Sequence, residues 1–146
     1  MNKLVSVILS VCLFVFIGSS SLQAKVYNVK DFGAEGNGKQ IDSYAINKAI
    51  EQASSEGGGT VYIPAGEYAC YSIRLASHIH LYLEQGASIV GAFPTADEGY
   101  DVAEPNEYNA YQDFGHSHWK NSLIWGIGLD NITISGPGMI YGKGLT

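Results

Sequence analysis

A glycine-rich stretch near the start of the chain, DFGAEGNGKQID (residues 31–42), has the spacing of a phosphate-binding loop. Gly33, Gly38 and Lys39 fit the pattern GxxxxGK, in which backbone amides and the lysine bind the phosphates of a nucleotide. That chemistry also requires a Ser or Thr hydroxyl after the lysine to bind magnesium, and this position is Gln40. An amide is a poor substitute for the hydroxyl, so the sequence favours a structural turn.

Two histidine pairs, His78-x-His80 and His116-x-His118, have the spacing of metal ligands. Residues two positions apart lie on one face of a strand, so each pair could bind a zinc ion. Neither pair has a cysteine or a nearby carboxylate that would complete the ligand set. We therefore expect no metal site and no cofactor.

The first 24 residues have the layout of a secretory signal peptide. Lys3 precedes an apolar run over residues 4–18, and small and polar residues follow as far as Ala24. The alternative is a membrane anchor, but the run is shorter than the roughly 20 residues that a spanning helix needs. We predict a signal peptide over residues 1–24 and a secreted or periplasmic protein with no membrane attachment after cleavage. An exported protein meets no ATP, which also argues against a nucleotide site.

The composition excludes several classes of partner. The formal net charge of the chain is −6, which argues against binding to nucleic acid and to anionic membranes. Cys12 lies in the predicted signal peptide, so only Cys70 remains after cleavage. No internal disulfide is then possible, and stability must come from packing.

One amphipathic helix follows the glycine-rich stretch. Asp42 is a suitable N-cap residue, and a run of three glycines over residues 57–59 ends the helical pattern. Apolar residues between them recur with helical periodicity: Ile46, Ala49, Ile50 and Ala53.

Very short apolar strands, separated by turn residues, occupy the rest of the chain. They are predicted at residues 60–63, 73–75, 80–83, 88–90, 123–125, 132–134 and 139–141. Alternation is clearest at residues 78–84, where Ile79, Leu81 and Leu83 face one way. Strands this short and evenly spaced favour stacked coils over a sandwich. We predict an all-β fold, a right-handed parallel β-helix (solenoid), with an N-terminal capping α-helix over its open end.

Residues 92–121 interrupt this pattern and exceed ordinary loop lengths. The segment is rich in aromatic and acidic residues, and disordered segments are usually poor in aromatics. We therefore predict an ordered excursion from one coil.

Several segments resemble a known family. Residues 29–34 (VKDFGA) and 57–68 (GGGTVYIPAGEY) resemble the N-terminal region of pectin-degrading β-helix proteins, specifically the polygalacturonase-like family 28 of glycoside hydrolases. Residues 131–142 (NITISGPGMIYG) are similar to the first full coil of the same enzymes, with Tyr141 in place of the usual aspartate. The first two segments are shared with lyases, epimerases and phage tailspikes, whereas the third and the stretch at residues 116–119 favour family 28.

The resemblance implies inverting hydrolysis of α-linked galacturonide bonds in pectin. In this reaction one aspartic acid protonates the leaving oxygen and other carboxylates activate a water, with carboxyl groups roughly 6.5–9.5 Å apart. The family's motifs N-T-D, D-D, G-H-G and R-I-K belong to later coils, and none occurs in this sequence. We therefore expect the catalytic residues beyond Thr146. Residues 25–146 are expected to be the cap and first coils of a longer, monomeric enzyme, inactive by themselves.

The excursion contains the candidate substrate-binding residues, His116, His118, Trp119 and Lys120. Aromatic faces stack on sugars, and histidine or lysine can meet a uronate carboxylate. The alternative for Trp119 is that it anchors the excursion to the coil. The expected partner is a pectic polysaccharide or an oligogalacturonide.

Two other functions remain open on the same fold. One is a pectate lyase or a uronate epimerase, and such lyases often use calcium held by aspartates. The other is a non-catalytic, tailspike-like carbohydrate-binding β-helix. The cap is common to all of them, so the fold alone does not choose.

Overall fold

The structure, a computed structural model, describes residues 25–105 and 120–143. Its elements in chain order are β1 (Val26–Asn28), a 3-10 turn (Val29–Phe32), β2 (Asn37–Ile41), α1 (Ser43–Ser55), β3 (Gly59–Ile63), β4 (Gly66–Cys70), β5 (Ile73–Arg74), β6 (Ile79–Leu83), β7 (Ala87–Gly91), β8 (Ile124–Trp125), β9 (Thr133–Ser135) and β10 (Met139–Tyr141). The predicted signal peptide at residues 1–24 lies outside the described residues. Among those that are described, no helix is long and apolar enough to span a membrane.

The strands form three parallel sheets that the chain visits in turn. The first sheet has the order β1-β3-β6-β9, the second has β10-β7-β4-β2, and the third has β5-β8. Each strand pairs in parallel with the strand one coil further along, as in the register Val61↔Leu81↔Ile134 of the first sheet. A chain that repeats this circuit is a parallel β-helix, which confirms the predicted architecture.

The core is a stack of inward-facing side chains from successive coils. In β6, Ile79, Leu81 and Leu83 are buried, while His80 and Tyr82 between them are half-buried on the outer surface. The same alternation buries Tyr68 and Cys70 in β4. Burial also raises the pKa of the Cys70 thiol, because the charged thiolate is poorly solvated there.

Helix α1 closes the end of this stack. Its buried face contains the predicted Ile46, Ala49, Ile50 and Ala53, each at most 1% exposed. The helix ends in the glycine run, where Gly58 has a φ of +109° and a Cβ added to it would lie 2.5 Å from the carbonyl oxygen of His78. Only glycine fits this close approach between the helix end and the coil.

The predicted N-cap role of Asp42 is wrong. Asp42 occupies the cap position but makes no side-chain hydrogen bond to the helix, because its own backbone is helical (φ −91°, ψ −10°) instead of extended. Its carboxylate instead accepts hydrogen bonds from the backbone amides of Glu35 (2.7 Å) and Gly36 (2.9 Å). The buried acid therefore fixes the glycine-rich loop against the start of α1.

The glycine-rich loop has the geometry of a structural turn. The side-chain oxygen of Asn37 accepts hydrogen bonds from the amides of Lys39 (2.8 Å) and Gln40 (3.2 Å). Together with the two amides bound by Asp42, four donors that a phosphate would need are already bound to oxygens of this chain. The loop also forms strand β2, which the sequence pattern does not predict.

The described parts of the excursion pack against the coil. The Tyr100 ring meets that of Tyr71 edge-on, with 5.6 Å between ring centroids, and the Tyr100 hydroxyl donates to the carbonyl of Ala92 (2.9 Å). Tyr100 thus anchors the described first part of the excursion, residues 92–105, to the coil. Residues 106–119 lie outside the described residues.

The capping role of α1 can be tested with Ile50→Asp. The variant places a carboxylate in an apolar site that is 1% exposed, which should lower the free energy of unfolding by several kcal/mol, comparable to the whole stability of a domain. The control, Ile50→Val, removes one methylene and should cost about 0.5–1.5 kcal/mol. Denaturant unfolding measures both, and wild-type behaviour of Ile50→Asp would contradict the buried position.

Candidate functional site

Polar and aromatic side chains gather on the outer face of the third sheet, where the excursion leaves and rejoins the coil. Arg74 of β5 and Trp125 of β8 are register neighbours in this sheet. Asp101 comes from the outgoing part of the excursion and Lys120 from its returning part. We call Ser72, Arg74, Asp101, Lys120 and Trp125 the Asp101 cluster.

The carboxylate of Asp101 is the centre of this cluster. It accepts hydrogen bonds from Nε (2.8 Å) and Nη2 (2.6 Å) of Arg74, and from the indole Nε1 of Trp125 (2.8 Å). The Arg74 guanidinium holds the pKa of the Asp101 carboxyl below its usual range, and the Trp125 hydrogen bond acts in the same direction. Asp101 is therefore an ionised, structurally engaged acid at neutral pH, and it is poorly suited to donate a proton.

The hydroxyl of Ser72 ties both ends of the excursion to the coil. It donates to the carbonyl oxygen of Ser122 (2.8 Å) and accepts from the backbone amide of Asp101 (3.0 Å). The carboxylate of Glu104 in turn accepts from the backbone amide of Lys120 (3.0 Å), which joins the outgoing and returning parts directly. These contacts fix the two ends of the excursion relative to the third sheet.

Helix α1 positions Arg74 through a single side chain. The amide nitrogen of Asn47 donates to the carbonyl oxygen of Ser72 (2.9 Å), and its oxygen accepts from the backbone amide of Arg74 (2.8 Å). Asn47 is buried, so these bonds are shielded from water.

Lys120 is the cation of the cluster without an ion pair in the described part of the chain. Its ammonium nitrogen lies 5.6 Å from the centroid of the Trp125 ring, within the range of a cation–π interaction. An ammonium beside an indole ring can bind a carboxylate and contact the apolar face of a sugar. The local chemistry therefore suits an acidic sugar, although the whole chain is acidic.

The predicted substrate-binding residues are only partly described. Lys120 lies in the cluster, while His116, His118 and Trp119 lie outside the described residues, and their role stays a prediction. The sequence analysis missed Arg74, Asp101 and Trp125. The sequence did contain a signal for two of them. In the predicted strands 73–75 and 123–125, Arg74 and Trp125 each follow an inward-facing isoleucine and should therefore point outward.

The histidines of the first pair have separate partners. His78 precedes β6 in a left-handed backbone conformation (φ 63°), with its Nδ1 lying 3.0 Å from the side-chain nitrogen of Asn131. His80 lies within β6, and its Nε2 is 2.7 Å from the hydroxyl oxygen of Ser135. Within residues 25–105 and 120–143, no group of three or more metal-ligating side chains is present.

A family profile described as "Rhamnogalacturonase A/epimerase, pectate lyase-like" matches residues 26–140. The chain belongs to this family. The match includes β1 and nearly all of β10, and it spans the cap, the coils and the Asp101 cluster.

Solved structures and curated relatives agree with membership of the rhamnogalacturonase A/epimerase family. The family 28 exopolygalacturonase of Yersinia enterocolitica superposes with a TM-score of 0.66 at 33% identity, covering 82% of this chain and 21% of that one. A probable polygalacturonase of Vitis vinifera is 31% identical over 129 residues, which are 85% of this chain and 26% of the relative. These matches confirm the right-handed parallel β-helix and the resemblance to polygalacturonases.

A relative described as a lyase matches a shorter part of the chain. Alginate lyase 7 of Azotobacter vinelandii is 52% identical over 66 residues, which are 45% of this chain and 8% of that protein. The chain therefore spans about a quarter or less of each of these three relatives.

The Arg74–Asp101 pair should make stability depend on pH in the acid range. A folded-state pKa below the unfolded value, near 3.8, contributes stability that is complete above that value and is lost as the pH falls through the folded pKa. The difference in free energy of unfolding between wild type and Asp101→Asn should be largest above about pH 4 and shrink below it. Denaturant unfolding at a series of pH values measures this, and a pH-independent difference would contradict an ionised Asp101.

Proposed function

We propose that this chain forms the cap and first coils of an exported hydrolase that cleaves α-linked galacturonide bonds in pectin. The supporting observation is the likeness to the Yersinia enterocolitica exopolygalacturonase, at 33% identity and a TM-score of 0.66 over 82% of the chain. Residues 1–24 support the proposed export, because they contain an apolar run that is followed by small and polar residues as far as Ala24.

In this proposal the catalytic acids lie in coils that follow β10. Inverting hydrolysis needs an acid and a base on opposite sides of one bond, and Asp101 is already bound by Arg74 and Trp125. The short share of each relative that the chain spans supports further coils.

The proposed role of the Asp101 cluster is to bind the polysaccharide. Asp101 uses two of the five N–H donors of Arg74, and the Lys120 ammonium has no ion pair in the described residues, so Lys120 can bind a uronate carboxylate. The Trp125 ring supplies an apolar surface for the sugar. His116, His118 and Trp119, which lie outside the described residues, are proposed to bind the same polysaccharide.

A second candidate is a uronate lyase or C5-epimerase. The identity of 52% to alginate lyase 7 over 66 residues favours it, and so does the description of the family, which names epimerases. The three activities leave different products, so one experiment separates them.

The complete gene product should be incubated with polygalacturonate, rhamnogalacturonan and alginate. Hydrolysis of a pectic substrate should release reducing ends without an unsaturated, ultraviolet-absorbing product, and inversion should give the β anomer first in time-resolved NMR. An unsaturated product would identify a lyase, and a changed C5 configuration without new reducing ends would identify an epimerase. Either result would overturn the proposed hydrolysis.

Binding by the cluster can be tested with Lys120→Gln. Removing the ammonium should weaken the affinity for oligogalacturonides roughly tenfold, the loss expected for one charge-assisted hydrogen bond, with little effect on stability. The matched control is Lys39→Gln in β2, an exposed lysine in a different sheet. Titration calorimetry measures the affinities. Equal affinities for wild type and Lys120→Gln would show that the cluster does not bind the substrate.

A further inference from the structure

A polar cavity lies between α1 and the excursion, beside the Asp101 cluster. Its volume is about 310 Å³, at the lower end of the range for small-molecule sites. One wall is a face of α1 that includes Tyr44, Asn47, Lys48 and Glu51, spaced by three and four residues. Arg74, Asp101 and Gly99 form part of the opposite side, so the cavity continues directly into the cluster.

The base of the cavity is rigid because its polar groups already have partners. The hydroxyl oxygen of Ser43 accepts from the backbone amide of Tyr71 (3.2 Å), and both atoms of the Asn47 amide group bind backbone of the third sheet. Asp101 is bound by Arg74 and Trp125, as described above. A ligand would therefore meet a preformed surface and would not have to break these bonds.

The unused groups are those that an acidic sugar requires. The Lys48 ammonium has no hydrogen bond or ion pair in the described residues, and Arg74, with a side chain 54% exposed, has N–H groups left over. Glu51 supplies an acceptor for hydroxyl groups, and Tyr44, a residue that is 52% exposed, supplies an aromatic ring. A uronate pyranose has a carboxylate for the cations, hydroxyls for the acid and a flat apolar face for the ring.

We propose that this cavity is a second saccharide subsite, which binds one uronate residue of the same polysaccharide that contacts Lys120 and Trp125. Lys48 and the free N–H groups of Arg74 bind its carboxylate, Glu51 accepts from its hydroxyls, and Tyr44 stacks on its ring. This assignment rests on the proposed function for the class of substrate. It adds that recognition extends to the capping helix, beyond the outer face of the third sheet.

The test uses Lys48→Gln in the complete protein and titrates it with oligogalacturonides of increasing length. For wild type, affinity should rise at the length that reaches both the cluster and the cavity. Lys48→Gln should abolish that rise and leave the affinity for the shortest binding oligomer unchanged, whereas Lys120→Gln should weaken binding at every length. Lys39→Gln is the matched control for loss of a lysine charge, and thermal unfolding checks that Lys48→Gln remains folded.

The possible failures are distinguishable. If wild type binds oligogalacturonides and Lys48→Gln changes no affinity, or changes all of them by the same factor, the second subsite is wrong and the proposed substrate stands. If wild type binds no oligogalacturonide of any length, the proposed substrate is wrong and the subsite falls with it. Tyr44→Ala gives an independent check, since it should reproduce the length-dependent loss without a change in charge.

Discussion

The side chain of Asn47 makes the backbone hydrogen bonds to Ser72 and Arg74 that a neighbouring strand would otherwise make. In the described residues, the third sheet begins at β5, and no earlier strand pairs with the side of β5 that faces α1. The Asn47 amide has one donor and one acceptor arranged like a peptide group, and it satisfies the carbonyl of Ser72 and the amide of Arg74. Each of these buried groups would otherwise cost about 1–3 kcal/mol. The position of Arg74, and through it that of Asp101, depends on this contact.

Three charges beside the third sheet differ in sign from the net charge of the chain. The chain as a whole is acidic, with a formal net charge of −6, which by itself suits a polyanionic ligand poorly. Next to the third sheet, however, Arg74, Lys48 and Lys120 come from a strand, a helix and a loop that are far apart in sequence. The Arg74–Asp101 pair fixes the guanidinium while leaving part of its donors free. Three cations thus converge beside the third sheet, next to the carboxylates of Asp101 and Glu51, in a chain whose net charge is negative.

The parts of the fold that could be predicted from the sequence are the elements that bury one face and expose the other. The alternation of β6 and the apolar face of α1 are local patterns, and both were correct. Strand β2, with the sequence NGKQI, was missed because its residues are mainly polar, and its pairing with β4 is visible only in three dimensions. The Asp101 cluster was missed for a related reason. The register that places Arg74 beside Trp125 spans the entire excursion, and no local pattern fixes how such an excursion returns.

The reactivity of the buried Cys70 thiol can be used to measure how often the coils of this β-helix open locally. Because β4 lies in the middle of the second sheet between β2 and β7, the thiol is reached by solvent only when neighbouring coils separate. The thiolate is the form that attacks alkylating reagents, and burial disfavours it, so Cys70 should react slowly while the coils are closed. The rate at which Cys70 is modified therefore measures how often the stack opens locally. Cys70, the free cysteine of the described residues, thereby reports on local opening of the coils that surround it.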